Sequence, residues 1–337
     1  MITGHVDDAN RYGGRIRLDF SANIYNHADL TGLQQYLAEH LDCIRHYPEP
    51  EPYELEWKLS EQFGIPREYI MVTNGCTEAV YLLAQLYRGF ASVVPQPTFI
   101  EYTNACRINK HIISYENADS LSHLGEDRIY WLCNPNDPSG NVLMKGFMDY
   151  VVRTNRQYMY IVDQSFEHFT KEELFTPHDI MQHPNLIVLH SMTKQYSVPG
   201  LRLGYITANP AIISRLRDIC HPYSVNSVAI TAGLYLLKHG RSSIPNLDAY
   251  LKEAERLRTA LKGIDGIRMF ESKSTFMLGY MDDTPCSELK QYLIQQHGIL
   301  IRDCSNFEGL TNNFFRVTAQ LPEENDQLVS AIREFMG

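Results

Sequence analysis

The chain has 337 residues, and its 30 lysines and arginines against 40 aspartates and glutamates leave a formal charge of −10. That balance argues against a general nucleic-acid or anionic-membrane surface, although a local basic pocket can still receive a small anionic substrate. Hydrophobic residues make up 44% and charged residues 21%, ordinary values for a chain that buries a real core, and the length favours a large domain plus a smaller one.

Seven cysteines scattered without a CxxC pair read as reduced thiols in a cytosol, with neither a disulfide framework nor a metal site expected. The opening residues "MITGHVDDANRYGG" carry no apolar signal region, and no run approaches membrane-spanning length. A cytoplasmic metabolic enzyme is the leading class, and a binding protein is the other.

From about Tyr69 onward short β-rich runs alternate with helical ones. "YIMVTN" leads into "GCTEAVYLLAQLY", "ASVVP" into "FIEYTNACRIN", and "RIYWLC" into "FMDYVVRTNRQ". Then come "YMYIVD", "NLIVLH" and "LRLGYITA", followed by the helical "AIISRLRDIC". Such alternation predicts a mostly parallel sheet flanked by helices, an open α/β arrangement that binds ligands at the carboxyl ends of its strands. After about residue 230 the texture changes. "NLDAYLKEAERLRTALKGI" reads as a long amphipathic helix, "IRMFES" and "TFMLGYM" as strands, and "SELKQYLIQQHG" as a helix. "ILIRDC" and "FFRVTA" read as strands before a last helix, "ENDQLVSAIREFM". The expected division is a large α/β domain over residues 46–230 and a small α+β domain over 231–337, with residues 1–45 packing on the small one.

The residues that suggest chemistry stand at strand ends. Asp163 closes "YIVD", Lys194 follows "NLIVLH", "NGCTEA" joins a strand to a helix, and "NPNDPSG" follows "YWLC". A lysine can condense with an aldehyde, and an acid held against a pyridine nitrogen keeps that nitrogen protonated as an electron sink. Lys194 and Asp163 are the candidates for those two tasks. The backbone N–H groups of Gly75, Cys76 and Thr77 at a helix N-terminus form a phosphate cradle. Ser191 and Arg202 are the candidates to complete it, arginine for its planar, permanently charged fork. Taken singly, Ser191 also reads as a turn residue and Arg202 as half of a surface ion pair.

"SMTKQYSVPGLRLGY", "NPNDPSG", "VDQSF" and "PTFIEY" together resemble the signature of fold-type I pyridoxal-phosphate enzymes of the class I/II aminotransferase superfamily. The resemblance covers nearly the whole chain. It implies that Lys194 bonds the cofactor aldehyde, that Asp163 pairs with the pyridine nitrogen and that Phe99 stacks on the ring. It also implies that Tyr47, in "RHYPEPEPYEL", reaches the cofactor phosphate of a neighbouring subunit, hence a homodimer with shared active sites.

Within that superfamily "LDFSANI", "LDCIRHYP", "PYSVNSVA" and "ILIRDCSNFEGL" look like the threonine-phosphate decarboxylases of cobalamin biosynthesis. The related histidinol-phosphate aminotransferases share the lysine segment. The likeness implies a small phosphorylated amino-acid substrate held by Arg302 and Arg316, with Asn23 near its carboxylate. His5 falls where the decarboxylases carry a phosphate-binding "HGG". Phe166 agrees with the decarboxylase pattern, since aminotransferases usually place a tyrosine there. The family's "PNNPTG" reads "PNDPSG" here, so Asp137 replaces the asparagine that donates to the cofactor's phenolic oxygen. A carboxylate cannot make that donation unless it is protonated.

Overall fold

A computed structural model describes residues 9–115, 128–240, 244 and 246–337. The alternating middle of the chain forms one seven-stranded sheet. In chain order its strands are β2 (Ile70–Thr73), β3 (Ala91–Val93), β4 (Ile112–Ser114), β5 (Arg128–Cys133), β6 (Met159–Asp163), β7 (Leu186–His190) and β8 (Gly204–Thr207). They lie side by side as β2-β8-β7-β6-β5-β3-β4. The apolar runs that mark β2, β5, β6 and β7 are buried along almost their whole length. That is the signature of strands covered by helices on both faces.

Strand β8 runs antiparallel to both of its neighbours. Between His190 and Gly204 the chain forms only the short helices Met192–Gln195 and Pro199–Leu201. With no long crossover helix there, the strand returns in the opposite sense. The sheet is therefore mixed and mostly parallel, as the alternation predicts. Two elements escape that pattern. Strand β4 has only three residues, and the helix Ser227–His239 is rich in small apolar residues without a strong polar face.

The small sheet has the order β12-β13-β10-β9, built from β9 (Ile267–Met269), β10 (Phe276–Met281), β12 (Arg302–Asp303) and β13 (Phe314–Thr318). Its strands pair antiparallel. The helices Leu247–Lys262 and Pro322–Met336 pack on it through one core that includes Leu257, Phe276, Phe315, Leu328 and Ile332.

Residues 9–45 divide between the two cores. Strand β1 (Leu18–Asp19) pairs in parallel with β11 (Ile299–Leu300), and Phe20 enters the small-sheet core. The helix Thr31–Glu39 instead contacts the helix Ser227–His239, and its Leu33 shares a core with Leu55 and Val72 beside the large sheet. The crossing from one to the other draws residues 19–24 over the carboxyl ends of the large sheet's strands, where a cavity opens.

Candidate active site

Register brings the strand ends together. Cys133 pairs with Asp163, Asp163 with Leu189, His190 with Tyr205 and Gly204 with Thr73. A cavity of about 400 Å³ lies beyond these ends, and its wall includes Asp163, Lys194, Arg202 and Arg316. Asn23, Cys76, Thr77, Phe99, Asp137 and Ser191 also line it. The structure thus gathers most of the sequence candidates into one pocket.

Asp163 is buried, and both carboxylate oxygens are held. Oδ1 accepts from the Ser165 backbone N–H at 2.8 Å, and Oδ2 accepts from the Tyr102 hydroxyl at 2.8 Å. Burial raises the carboxyl's pKa, while the bonds from Ser165 and Tyr102 and the charge of His190 pull against that rise. Behind it, His190 Nδ1 lies 3.0 Å from Glu167 Oε1 and Nε2 lies 3.0 Å from Thr207 Oγ1, with the ring stacked on Tyr205 at 4.6 Å. Burial works to raise the Glu167 pKa, but the facing His190, His168 and the Gln164 hydrogen bond together turn the net direction down. Sequence reading missed Tyr102, His190 and Glu167 as members of this group. The final tyrosine of "PTFIEY" was the available signal for the first.

Lys194 sits in a tight turn. Gln195 N–H bonds Ser191 O at 3.2 Å, Tyr196 N–H bonds Met192 O at 3.1 Å, and Thr193 N–H crosses to Leu203 O at 3.2 Å. These bonds fix the short helix on which the amine is mounted. Burial lowers its pKa to about 8. The charge of Asp137 raises it, and those of Arg316 and Arg202 press it further down. Nζ lies 5.5 Å from the centre of the Phe166 ring, so the position where aminotransferases place a hydroxyl presents an aromatic face.

The helix Gly75–Leu86 opens directly after β2, with Gly75 at φ +78. A Cβ built on Gly75 would stand 2.7 Å from Arg202 Nη2. The missing side chain therefore lets the guanidinium lie against the helix N-terminus, where unpaired N–H groups and the helix dipole favour an anion. Arg202 itself has φ 54, an uncommon left-handed conformation for a branched-fork side chain. Cys76 donates its thiol hydrogen to His190 O at 3.1 Å, and burial, aided by the Asp163 charge, pushes its pKa up to about 12. It is a neutral structural donor, not a nucleophile.

Phe99 stands at the start of the helix Ile100–Ile108 and meets Tyr102 edge-on at 5.6 Å. Across the cavity the small sheet contributes Arg316, wholly buried, whose Nη1 pairs with Asp137 Oδ1 and whose Nη2 donates to Ser21 O. Asn23 is 1% exposed. Its Oδ1 accepts from Thr318 Oγ1 at 2.8 Å, while Nδ2 has no hydrogen-bond partner.

Two candidates lie elsewhere. Arg302 is the register partner of Arg316, but its Nη2 donates to Asn306 Oδ1 at 2.8 Å and its guanidinium lies over Phe307 at 5.4 Å. It is not part of the cavity wall. Tyr47 is 88% exposed and packs beside Tyr223 at 5.3 Å. His5 lies outside the described residues.

All seven cysteines are free thiols. Among the described residues no cluster of potential metal ligands occurs, and no helix is long and apolar enough to cross a membrane.

The chain is similar to proteins of known sequence and structure. A crystal structure of L-threonine-O-3-phosphate decarboxylase from Porphyromonas gingivalis superposes with a TM-score of 0.91 at 34% identity, covering 94% of this chain and 99% of that one. The threonine-phosphate decarboxylase of Salmonella typhimurium is 28% identical over 95% of this chain and 91% of its own length. A histidinol-phosphate aminotransferase of Thermoanaerobacter pseudethanolicus is 30% identical over 86% of this chain and 84% of its own. Residues 15–332 match the family described as aminotransferase class I and II, and the chain belongs to that family.

Proposed function

We propose that this protein decarboxylates L-threonine O-3-phosphate to (R)-1-amino-2-propanol O-2-phosphate in cobalamin biosynthesis, using pyridoxal 5′-phosphate. The observation that carries the reading is the likeness to the Porphyromonas decarboxylase at 34% identity over 94% of the chain. Phe166 beside Lys194 agrees with it.

The residues fit the cofactor. The cradle at Gly75, Cys76 and Thr77, which a Cβ on Gly75 would fill, suits its phosphate, together with Ser191 and Arg202. Phe99 would stack on the ring, and Asp163 would keep a proton on the ring nitrogen. When bound, pyridoxal phosphate supplies an electron sink for the pair left on the substrate's Cα when a bond there breaks.

The protein's task would then be orientation, because its own side chains decide which bond at Cα is presented for cleavage. Arg316, Arg302 and Asn23 are the anchors for the substrate's phosphate and carboxylate. Arg302 reaches that role only if its side chain turns from Asn306. These anchors would decide which bond at Cα is presented for cleavage, and an orientation that presents the carboxylate would favour its release as CO2. Lys194, whose pKa burial lowers to about 8, would hold the cofactor through its aldehyde and, as a nearby amine able to carry a proton, would be the acid for Cα.

The exposed Leu41, Ile44 and Tyr47 suit a homodimer in which Tyr47 serves the neighbouring site, and free thiols suit the cytoplasm. Sedimentation as a monomer at micromolar concentration would remove the dimer from the account.

The aminotransferase reading is favoured by the Thermoanaerobacter relative. The two part on one assay. Purified, cofactor-loaded protein given L-threonine O-phosphate and no keto acid should release CO2 continuously. Amino exchange that depends on keto acid, with no CO2, would establish the alternative.

A further inference from the structure

Tyr47 belongs to the stretch "HYPEPEPYE", residues 46–54, in which every second residue from Pro48 to Pro52 is proline. Each ring fixes its own φ and biases the residue before it toward extended backbone, so the segment is a short, stiff strut. Its foot is tied down beside the large sheet. Glu56, wholly buried on the helix Tyr53–Phe63, accepts from Val72 N–H at 3.1 Å, from Arg67 Nη1 at 3.2 Å and from Arg217 Nη2 at 2.8 Å. Arg217, on the helix Pro210–Ile219, also donates to Ile70 O at 2.9 Å, and its Nη1 pairs with Glu51. One guanidinium thus joins a carboxylate of the core to a carboxylate of the strut, a task for a planar fork that an ammonium performs poorly. One residue earlier, Pro50 O accepts from Tyr223 N–H at 3.0 Å, and the Tyr223 ring lies beside Tyr47. Tyr47 stands out from the surface, so its direction comes from the backbone beneath it.

We propose that Glu51 and Arg217 are positioning residues for Tyr47, fixing where its hydroxyl stands in the neighbouring subunit's cofactor site. The inference rests on the reading that gives Tyr47 that role. Stiffness makes the tie effective: a flexible loop would absorb the loss of one anchor, whereas a proline strut carries a shift at Glu51 along to its end. Removing the Glu51 carboxylate leaves Arg67 and Arg217 facing Glu56, so the buried acid keeps both of its cations. The strut can then be loosened without stranding a charge in the core.

The test titrates pyridoxal phosphate into the parent, Tyr47→Phe, Glu51→Ala and Tyr47→Phe/Glu51→Ala proteins and follows binding by visible absorbance. Tyr47→Phe should weaken binding by roughly tenfold, the loss of one hydrogen bond to a charged group. Glu51→Ala leaves that hydroxyl present and should still weaken binding by roughly threefold or more. The double variant should bind no more weakly than Tyr47→Phe alone, because a misplaced hydroxyl and a missing one forfeit the same contact. Parent-like affinity in Glu51→Ala, or losses that multiply in the double variant, overturns the proposal. So does a Glu51→Ala protein that sediments as a monomer, which would make the segment a subunit contact. Parent-like affinity in Tyr47→Phe removes Tyr47 from the cofactor site and the positioning role with it. No turnover enters these measurements, so a parent enzyme that released no CO2 would sink the decarboxylase reading alone.

Discussion

The Tyr102 hydroxyl donates to Asp163 Oδ2 at 2.8 Å, which ties the acid at the end of β6 to the helix that starts beside Phe99. Burial raises the Asp163 pKa, and this bond is one of the forces holding it down. Removing the hydroxyl lets burial act with less opposition. In Tyr102→Phe the acid limb of the pH–rate profile should therefore move to higher pH, because the ionised carboxylate is lost sooner as pH falls. A limb that stays in place, or moves down, would mean that Asp163 does not control it.

Gly75 combines a left-handed backbone with the close approach of Arg202. Gly75→Ala should cost about 1 kcal/mol of stability from the backbone alone. It should also weaken cofactor binding by roughly tenfold or more, as the guanidinium is pushed off the helix terminus. Cofactor titration followed by visible absorbance measures the second effect. Parent-like affinity would place the phosphate elsewhere.

Lys194 titrates near pH 8 in the fold, against 10.5 for an ordinary lysine. Below about pH 8 the folded chain carries a buried ammonium that the unfolded chain solvates better. The folded state binds fewer protons between the two values, so stability rises as pH climbs through that interval. Cofactor-free Lys194→Met should thus unfold at higher temperature than the cofactor-free parent at pH 7. The gain is on the order of 2 kcal/mol and shrinks by pH 10. It should also lose turnover. An unfolding temperature no higher than the parent's at pH 7 would contradict the burial of a charged amine.

Asn23 presents an amide donor, Nδ2, with no partner while its oxygen is bound by Thr318. Asn23→Ala should raise the substrate KM by roughly tenfold and leave the cofactor's affinity unchanged, the pattern of a lost substrate contact. A parent-like KM would assign Asn23 a packing role instead.

What the sequence made legible follows from where each residue gets its position. Lys194 and Asp163 stand at the ends of strongly apolar strands, so local pattern located them, and both line the cavity. Gly75 was legible because a strand-to-helix turn is also local. The Tyr102–Asp163 bond and the His190–Glu167 pair were not, since they join residues 61 and 23 positions apart through strand register and helix packing. Arg316 and Asp137 lie 179 positions apart in the chain and meet only where the small sheet closes on the large one. The motif revealed the odd aspartate but not its partner. Arg302 and Arg316 looked equivalent as arginines of neighbouring strands. Only the turn that carries Asn306 and Phe307 separates their directions.

The central claim is that the substrate's carboxylate leaves while its Cα hydrogen stays. Turnover of L-threonine O-phosphate in deuterium oxide, with mass analysis of the product, tests it directly. The expected product is 1-amino-2-propanol O-2-phosphate carrying one non-exchangeable deuterium and the original hydrogen on the former Cα. A keto acid product, or loss of that hydrogen to solvent, would contradict it.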